Sequence, residues 1–286
     1  MGNKGDNEIR AEHVSSAIKG ILTKKFKLFP LLAKESSTAW TESYYKETNT
    51  ILTAPGDANA SFRGVPRGAD FVEVQAEHTL VQGQHLKWGG KVTIFLEDKL
   101  TSAINVQQRN MAKLVEGIVN NTDAYIYAQL SGDSDILTGA SNAAWDDTTI
   151  ADRQPIDDIL AGIQAMDEAN VDVLGEAGVL LVSPKDHRSL IGNSKVINNP
   201  SFKTADVVSN GRVGQIAGLT IVKTTTVTAD QAMIMVNKSQ VWQTVESLKT
   251  AVIDDPGIKV TIKAWQIGQI QIVQPKKIYV ITNTQL

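Results

Sequence analysis

Between Lys91 and Gly132 the chain switches from one hydrophobic period to another, and this switch constrains the fold more than any other feature. In KVTIFLEDKL, Val92, Ile94 and Leu96 alternate with neighbours that face the other way, the period of a strand with one covered side. From about Asn105 to Leu130 the apolar positions Met111, Leu114, Val115, Ile118, Thr122, Tyr125, Ile126 and Leu130 recur at spacings of three and four. No proline interrupts that run, and Gly132 is placed to end it. A helix of this length is about 38 Å long at 1.5 Å per residue. It is long for a globular domain and suits an element that braces a sheet.

Around this spine the rest of the chain reads as several short elements. An amphipathic helix is expected where Ile9, Val14, Ala17, Ile18, Ile21 and Leu22 share a face, followed by the basic cluster Lys24, Lys25 and Lys27 and a stop at Pro30. From Thr53 to Gly68 the stretch TAPGDANASFRGVPRG is rich in Gly, Pro and small polar residues and carries Arg63 and Arg67, the pattern of a long exposed excursion. Its flanks, Trp40–Leu52 and Val72–Glu77, read as the two strands of a long hairpin. A two-stranded ribbon is marginal in water by itself, so it is expected to lie on something else. Residues 133–155 read as a polar loop. A second helix is expected from Pro155, burying Ile156, Ile159, Leu160, Ile163 and Met166. GVLLVS from Gly178, GLTIVKT from Gly218 and QAMIMVN from Gln231 are strand candidates, and SPKDHRSLI turns into a short helix, so this block is a small α/β unit. The alternation at Ile258–Ile262, Ile270–Ile272 and Ile278–Val280 predicts three antiparallel strands completing the sheet on the spine, punctuated by Pro256-Gly257 and Pro275.

Composition narrows the function. The chain has 286 residues, a formal net charge of -3 and no cysteine, which rules out disulfides, thiol catalysis and cysteine-ligated zinc, and leaves no global basic field for gripping nucleic acid. No apolar stretch approaches the roughly 20 residues of a membrane span, and no membrane partner is expected. The start MGNKGD has Asp6 where myristoylation favours Ser or Thr, so it reads as an ordinary cytosolic N-terminus.

The residues that could carry chemistry do not converge. His13, His78, His85 and His187 lack metal-ligand spacing, so surface or packing roles are expected. The pairs Asp146-Asp147, Asp157-Asp158 and Asp254-Asp255 are adjacent, and neighbours on a helix do not share a face; loop solvation or helix N-terminal charge accounts for them better than acid/base work. Ser183, Asp186 and His187 have the residue types of a hydrolytic triad without a nucleophile elbow. GRVGQIAG, with Gly211, Gly214 and Gly218, precedes a strand instead of following one, so it reads as a turn and not a phosphate loop. No cofactor, metal or enzymatic activity is expected. The lysines of the arm are divided between phosphate contact and a solvated helix face.

The order of helical arm, long hairpin, strand, long brace helix, α/β insertion and returning strands resembles the major capsid proteins of tailed bacteriophages and related archaeal viruses, an α+β fold named after phage Hong Kong ninety-seven. The local resemblance lies in KWGGKVTIFLEDKLTSAINVQQRNMAKLVEGIVNNTDAYIYAQL from Lys87, with Asp123, Tyr125 and Ile126 near the helix end, in VSPKDHRSL from Val182, and in GRVGQIAGLTIVKTTTV from Gly211. The resemblance implies an N-terminal arm over residues 1–45 and an extended E-loop over 46–88. It also implies a peripheral domain from 89–145 with 246–286, and an axial domain over 146–245. It further implies hexamers and pentamers closing an icosahedral virion shell around double-stranded DNA, assembled in the host cytoplasm. With no long segment ahead of the arm, a separate scaffolding protein or none is expected; portal and decoration proteins are further implied partners. On this reading Arg63 and Arg67 make intersubunit ion pairs, and Lys24, Lys25 and Lys27 face the DNA. An encapsulin-like compartment shell is the alternative of the same fold, and a soluble α/β enzyme with its site in 146–245 is the alternative of another class.

Overall fold

The computed structural model describes residues 26–48, 65–71, 73–74, 78–97, 106–193 and 214–286. The amphipathic helix expected over residues 9–22, along with Lys24, Lys25 and Arg63, lies outside them. The chain divides into two compact units. The first takes Met1–Glu42, Gly83–Ala128 and Val241–Gln271, and the second takes Ser43–Gln82, Gln129–Gln240 and Ile272–Leu286.

The first unit is a four-stranded sheet against a helix. In chain order its elements are β1 (Ala33–Ser36), β4 (Leu86–Phe95), α1 (Val106–Gly132, of which the last turn falls in the second unit), β10 (Val241–Asp255) and β11 (Lys259–Gln271). The sheet order is β1-β10-β11-β4, with β1 parallel to β10 and the other pairs antiparallel. Met111, Leu114, Val115, Ile118 and Val119 of α1 pack on Ile94, Ile262 and Ala264. The two periods read from the sequence thus meet in one core, where each fully buried aliphatic side chain contributes about 1.5–3 kcal/mol. At the β10–β11 turn the Ile258 N–H donates to Asp255 O at 3.0 Å. Pro256 presets the first corner and Gly257, at φ +81°, supplies the second.

The second unit is built on a six-stranded mixed sheet of order β5-β12-β9-β6-β8-β7. Its strands are β5 (Leu137–Ala140), β6 (Gly178–Val182), β7 (Gln215–Ile216), β8 (Leu219–Lys223), β9 (Gln231–Val236) and β12 (Ile278–Thr282). Helix α2 (Pro155–Glu168) starts on Pro155 as expected and buries Ile159, Ile163 and Met166 with Leu180, Ile234 and Tyr279 in one core. Every residue of β6 is buried, which is why it reads as an unbroken apolar run. β7 and β8 form a two-residue hairpin through Ala217 (φ +49°) and Gly218 (φ +81°), so the glycine-rich segment ends in a tight turn before a strand. A shorter helix, α3 (Pro184–Gly192), follows β6.

Two expectations need correction. Ile278–Val280 does not complete the sheet on the spine: β12 pairs antiparallel with β9 and parallel with β5, so the tail from Ile272 belongs to the second unit and not to a peripheral piece running from 246 to 286. Alternation marks a strand but does not name its partner. The loop at 133–155 contains β5, a strand of only four residues. β2 (Thr41–Glu47) pairs with β3 (His78–Gln84); the expected second strand, Val72–Glu77, lies outside the described residues except for Glu73 and Val74. β3 is exposed or half-buried along its whole length, so it carries no one-sided apolar pattern to read.

Candidate assembly surfaces

In the first unit the carboxylate of Asp123 anchors the root of the N-terminal arm. Asp123 sits on α1 and is 2% exposed. Its Oδ2 accepts the backbone N–H of Lys27 at 2.9 Å and of Leu28 at 3.4 Å, and its Oδ1 accepts that of Phe29 at 3.3 Å. Pro30 and the short turn Phe29–Leu31 follow, and Leu28 and Leu32 are buried on either side. Burial pushes the carboxyl of Asp123 above its ordinary value, although the three N–H groups and the Lys27 charge pull the other way. The next residues form β1, pairing Ala33–Ser36 with Val241–Thr244. The arm is therefore held first by a side chain and then by a sheet edge.

In the second unit the root of the β2–β3 ribbon is pinned by charge. Lys46 Nζ lies 2.7 Å from Asp133 Oδ1 and 2.5 Å from Asp135 Oδ2, with the lysine side chain nearly buried. Burial alone would lower the lysine pKa; the hydrogen bonds to both aspartates outweigh it and hold it above the ordinary value. The adjacent Glu47 N–H donates to Val273 O at 2.8 Å, and Gln274 Nε2 donates to Glu47 Oε2 at 3.2 Å. At the first-unit end of the ribbon, buried His85 stands 3.5 Å from Glu42 Oε2, and its backbone N–H donates to Trp40 O at 3.1 Å. Between and beside these fixed points Trp40, Tyr45 and Leu80 are exposed.

Of the residues singled out in the sequence, Arg67 and Lys27 are described, and both are exposed. Among the described residues neither side chain lies within ion-pair distance of a carboxylate, although the Lys27 charge acts on Asp123. Ser183 and Asp186 serve as a helix cap. Ser183 Oγ accepts the Asp186 N–H at 3.1 Å and donates to Asp186 Oδ2 at 2.8 Å, and Gln285 Nε2 donates to both side chains. Asp158, one of the adjacent acidic pairs, is buried in the first turn of α2, where it accepts the Trp145 Nε1–H at 2.9 Å. Among the described residues no three acidic or histidine side chains gather as metal ligands, and no helix is long and apolar enough to cross a membrane.

The anchoring groups Asp123 and Lys46 were not legible as such. Asp123 stands near the helix end in the sequence, but its partners are backbone amides 94 to 96 residues away. Lys46 has no sequence signal beyond the acidic GDSD that follows α1.

A family model described as phage capsid protein matches residues 81–281, from the end of β3 through most of β12. The chain belongs to this family. Solved structures give the same fold at low identity. The capsid of cyanophage P-SCSP1u is similar at a TM-score of 0.67 and 13% identity, over 89% of this chain and 87% of that one. A virus-like particle from Pyrococcus furiosus has a TM-score of 0.62 and 14% identity, over 94% and 98%. A structure from Mycobacterium phage Che8 has a TM-score of 0.62 and 16% identity, over 87% and 86%. No curated protein sequence gives a significant match. The capsid protein therefore has the α+β Hong Kong ninety-seven-type fold and the structural role of a major capsid protein.

Proposed function

We propose that this capsid protein assembles with copies of itself, as hexamers and pentamers, into an icosahedral shell around double-stranded DNA. The family match over 81–281 carries the reading. The physics agrees: a shell subunit needs contacts that propagate head to tail through many copies, and a ribbon and arm rooted on rigid anchors supply that reach. The first unit corresponds to the peripheral domain and the second to the axial domain, with the ribbon as E-loop and the residues before β1 as the arm. Size exclusion and negative-stain microscopy of the expressed chain test it: megadalton shells or capsomer rings are expected, and a stable monomer or dimer refutes it.

Two contacts follow from this reading. Arg63 and Arg67 in the E-loop pair with acidic residues of a neighbouring subunit; reversing both charges is expected to reduce shell yield, with unchanged yield and thermal stability refuting the pairing. Lys24, Lys25 and Lys27 face the packaged DNA. Changing all three to Gln is expected to lower DNA retention and its salt sensitivity while shells still form. Scaffolding, portal and decoration proteins are further partners of such a shell, which would be built in the host cytoplasm. The likeness to a virus-like particle keeps one other shell in view, a compartment enclosing protein cargo. The ratio of nucleic acid to protein in purified particles separates the two.

A further inference from the structure

In the second unit the chain beyond β12, from Asn283 to Leu286, lies against three other segments. The Trp145 N–H donates to Thr284 O at 2.9 Å, and the Gln285 N–H donates to Asp230 Oδ1 at 2.8 Å. Two carboxylates hold the end of this stretch in different ways. Asp146 is partly exposed and paired. Its Oδ1 accepts the Leu286 N–H at 2.9 Å, and its Oδ2 lies 2.6 Å from Lys185 Nζ, which also donates to Leu286 O at 3.0 Å. Asp186 is fully buried, and among the described residues no cation lies within ion-pair distance of it. Its Oδ2 accepts the Ser183 hydroxyl at 2.8 Å and the Gln285 side-chain amide at 2.9 Å, which fills both lone pairs. Its Oδ1 makes no direct hydrogen bond, and the Thr284 hydroxyl beside it is equally buried and unsatisfied.

An ionised Asp186 is a buried charge without a counter-ion, since its neighbour Lys185 is paired with Asp146, and the like charge of Asp146 acts on it as well. The N-terminus of α3 offsets only a small part of that cost. A protonated Asp186 is neutral, and its O–H is a donor that the Thr284 oxygen can accept. We infer that Asp146 and Asp186 form a two-carboxylate latch on the stretch Thr284–Leu286, closed while Asp186 carries a proton and Asp146 does not. The electrostatics of the two sites run in opposite directions. Burial is the largest influence on both carboxyls. At Asp186 burial prevails and raises the pKa; at Asp146 the hydrogen bonds from Lys185 and the Leu286 amide outweigh it and lower the pKa. The remaining charged groups nearby act on other atoms: Lys223 on His187, and Asp230 on the Gln285 amide. The Asp186 contribution is therefore complete below the ordinary carboxylate range and is lost as pH rises through the raised value. The Asp146 contribution is complete above that range and is lost as pH falls through the lowered value. Both hold together near pH 4, about the ordinary aspartate value, and the latch loosens on either side.

Hydrogen exchange on the full chain reads the latch directly, once the intrinsic pH dependence of exchange is divided out. The reporters are the amides of Trp145, Gln285 and Leu286, and the buried strand β9 serves as the reference for opening of the whole unit. Between pH 4 and pH 8 the wild-type reporters are expected to lose protection severalfold relative to β9. Asp186→Asn keeps a neutral donor and acceptor in place, so it is expected to hold the pH 4 level up to pH 8. Asp146→Asn gives up the charge paired with Lys185 and is expected to be severalfold less protected than wild type from pH 4 upward. Wild-type protection that stays flat from pH 4 to pH 8 overturns the inference. So does an alkaline loss that Asp186→Asn retains, or an Asp146→Asn profile equal to wild type. A parallel loss in β9 overturns it too, because the whole unit and not the latch would then be opening. Where a variant misfolds, the wild-type profile still decides, since it needs no substitution.

Discussion

Replacing Asp123 with alanine should release the arm root and cost the subunit about 2–4 kcal/mol. Three consecutive backbone N–H groups lose their acceptor at once, and a buried donor left without a partner costs about 1–3 kcal/mol. The Leu28 amide is fully shielded, while those of Lys27 and Phe29 are close enough to the surface to recruit water, which keeps the total below three full penalties. Asp123→Asn retains one oxygen and should cost about 1 kcal/mol. Denaturant unfolding measures both, and hydrogen exchange at Lys27–Phe29 localises the loss; a uniform loss of protection across α1 would show a global defect instead of a released arm. The pH dependence has a definite sign. Burial, the largest cause, holds the Asp123 pKa above its ordinary value, so the folded state keeps the proton more tightly than the unfolded chain. That contribution is complete below the ordinary carboxylate range and is lost as pH rises through the raised value. The Asn variant, which has no such titration, should therefore close its gap with wild type as the solution is taken from acid to neutral.

Elements whose burial pattern is local were legible, and elements defined by a distant partner were not. The spine helix was legible because Met111 to Leu130 keep one face over five turns without proline, and the structure runs it from Val106 to Gly132. Likewise, α2 begins on Pro155 and β6 is apolar because both of its faces are covered. β10 was invisible for a reason its register reveals. Irregularities between Thr244 and Glu246, and again between Glu246 and Lys249, break the two-residue period inside a strand of 15 residues. β12 was recognised as a strand but given the wrong sheet. Asp123 and Lys46 fall in the same class as β12, because their roles lie in amides and carboxylates brought from remote parts of the chain.

Lys46→Met should loosen the ribbon root and cost the second unit about 2–3 kcal/mol. Removing one partner of a buried ion pair costs about 3–5 kcal/mol, because the other charge stays behind in a poor solvent. Here the residual charges are Asp133, 14% exposed, and Asp135, 39% exposed, so water relieves part of the penalty. The methionine keeps most of the buried stem, which isolates the charge from packing. Adding Asp133→Asn and Asp135→Asn should recover part of the loss, since no carboxylate pair is then left to repel. The alkaline limb gives an independent readout. The two aspartates hold the Lys46 pKa above the ordinary lysine value of about 10.4. The stabilisation is therefore complete below that value and disappears as pH climbs through the folded one. Thermal melts across that range should show wild type losing an increment that the Met variant never had, and parallel curves would assign the ribbon root to packing. The consequence for assembly follows from position. Lys46 sits beside Glu47, whose backbone is tied to Val273, so releasing it frees the strand from which the ribbon extends. A ribbon with a loose root must be ordered at the moment of docking, and shell formation by the Met variant should slow even where the subunit remains folded.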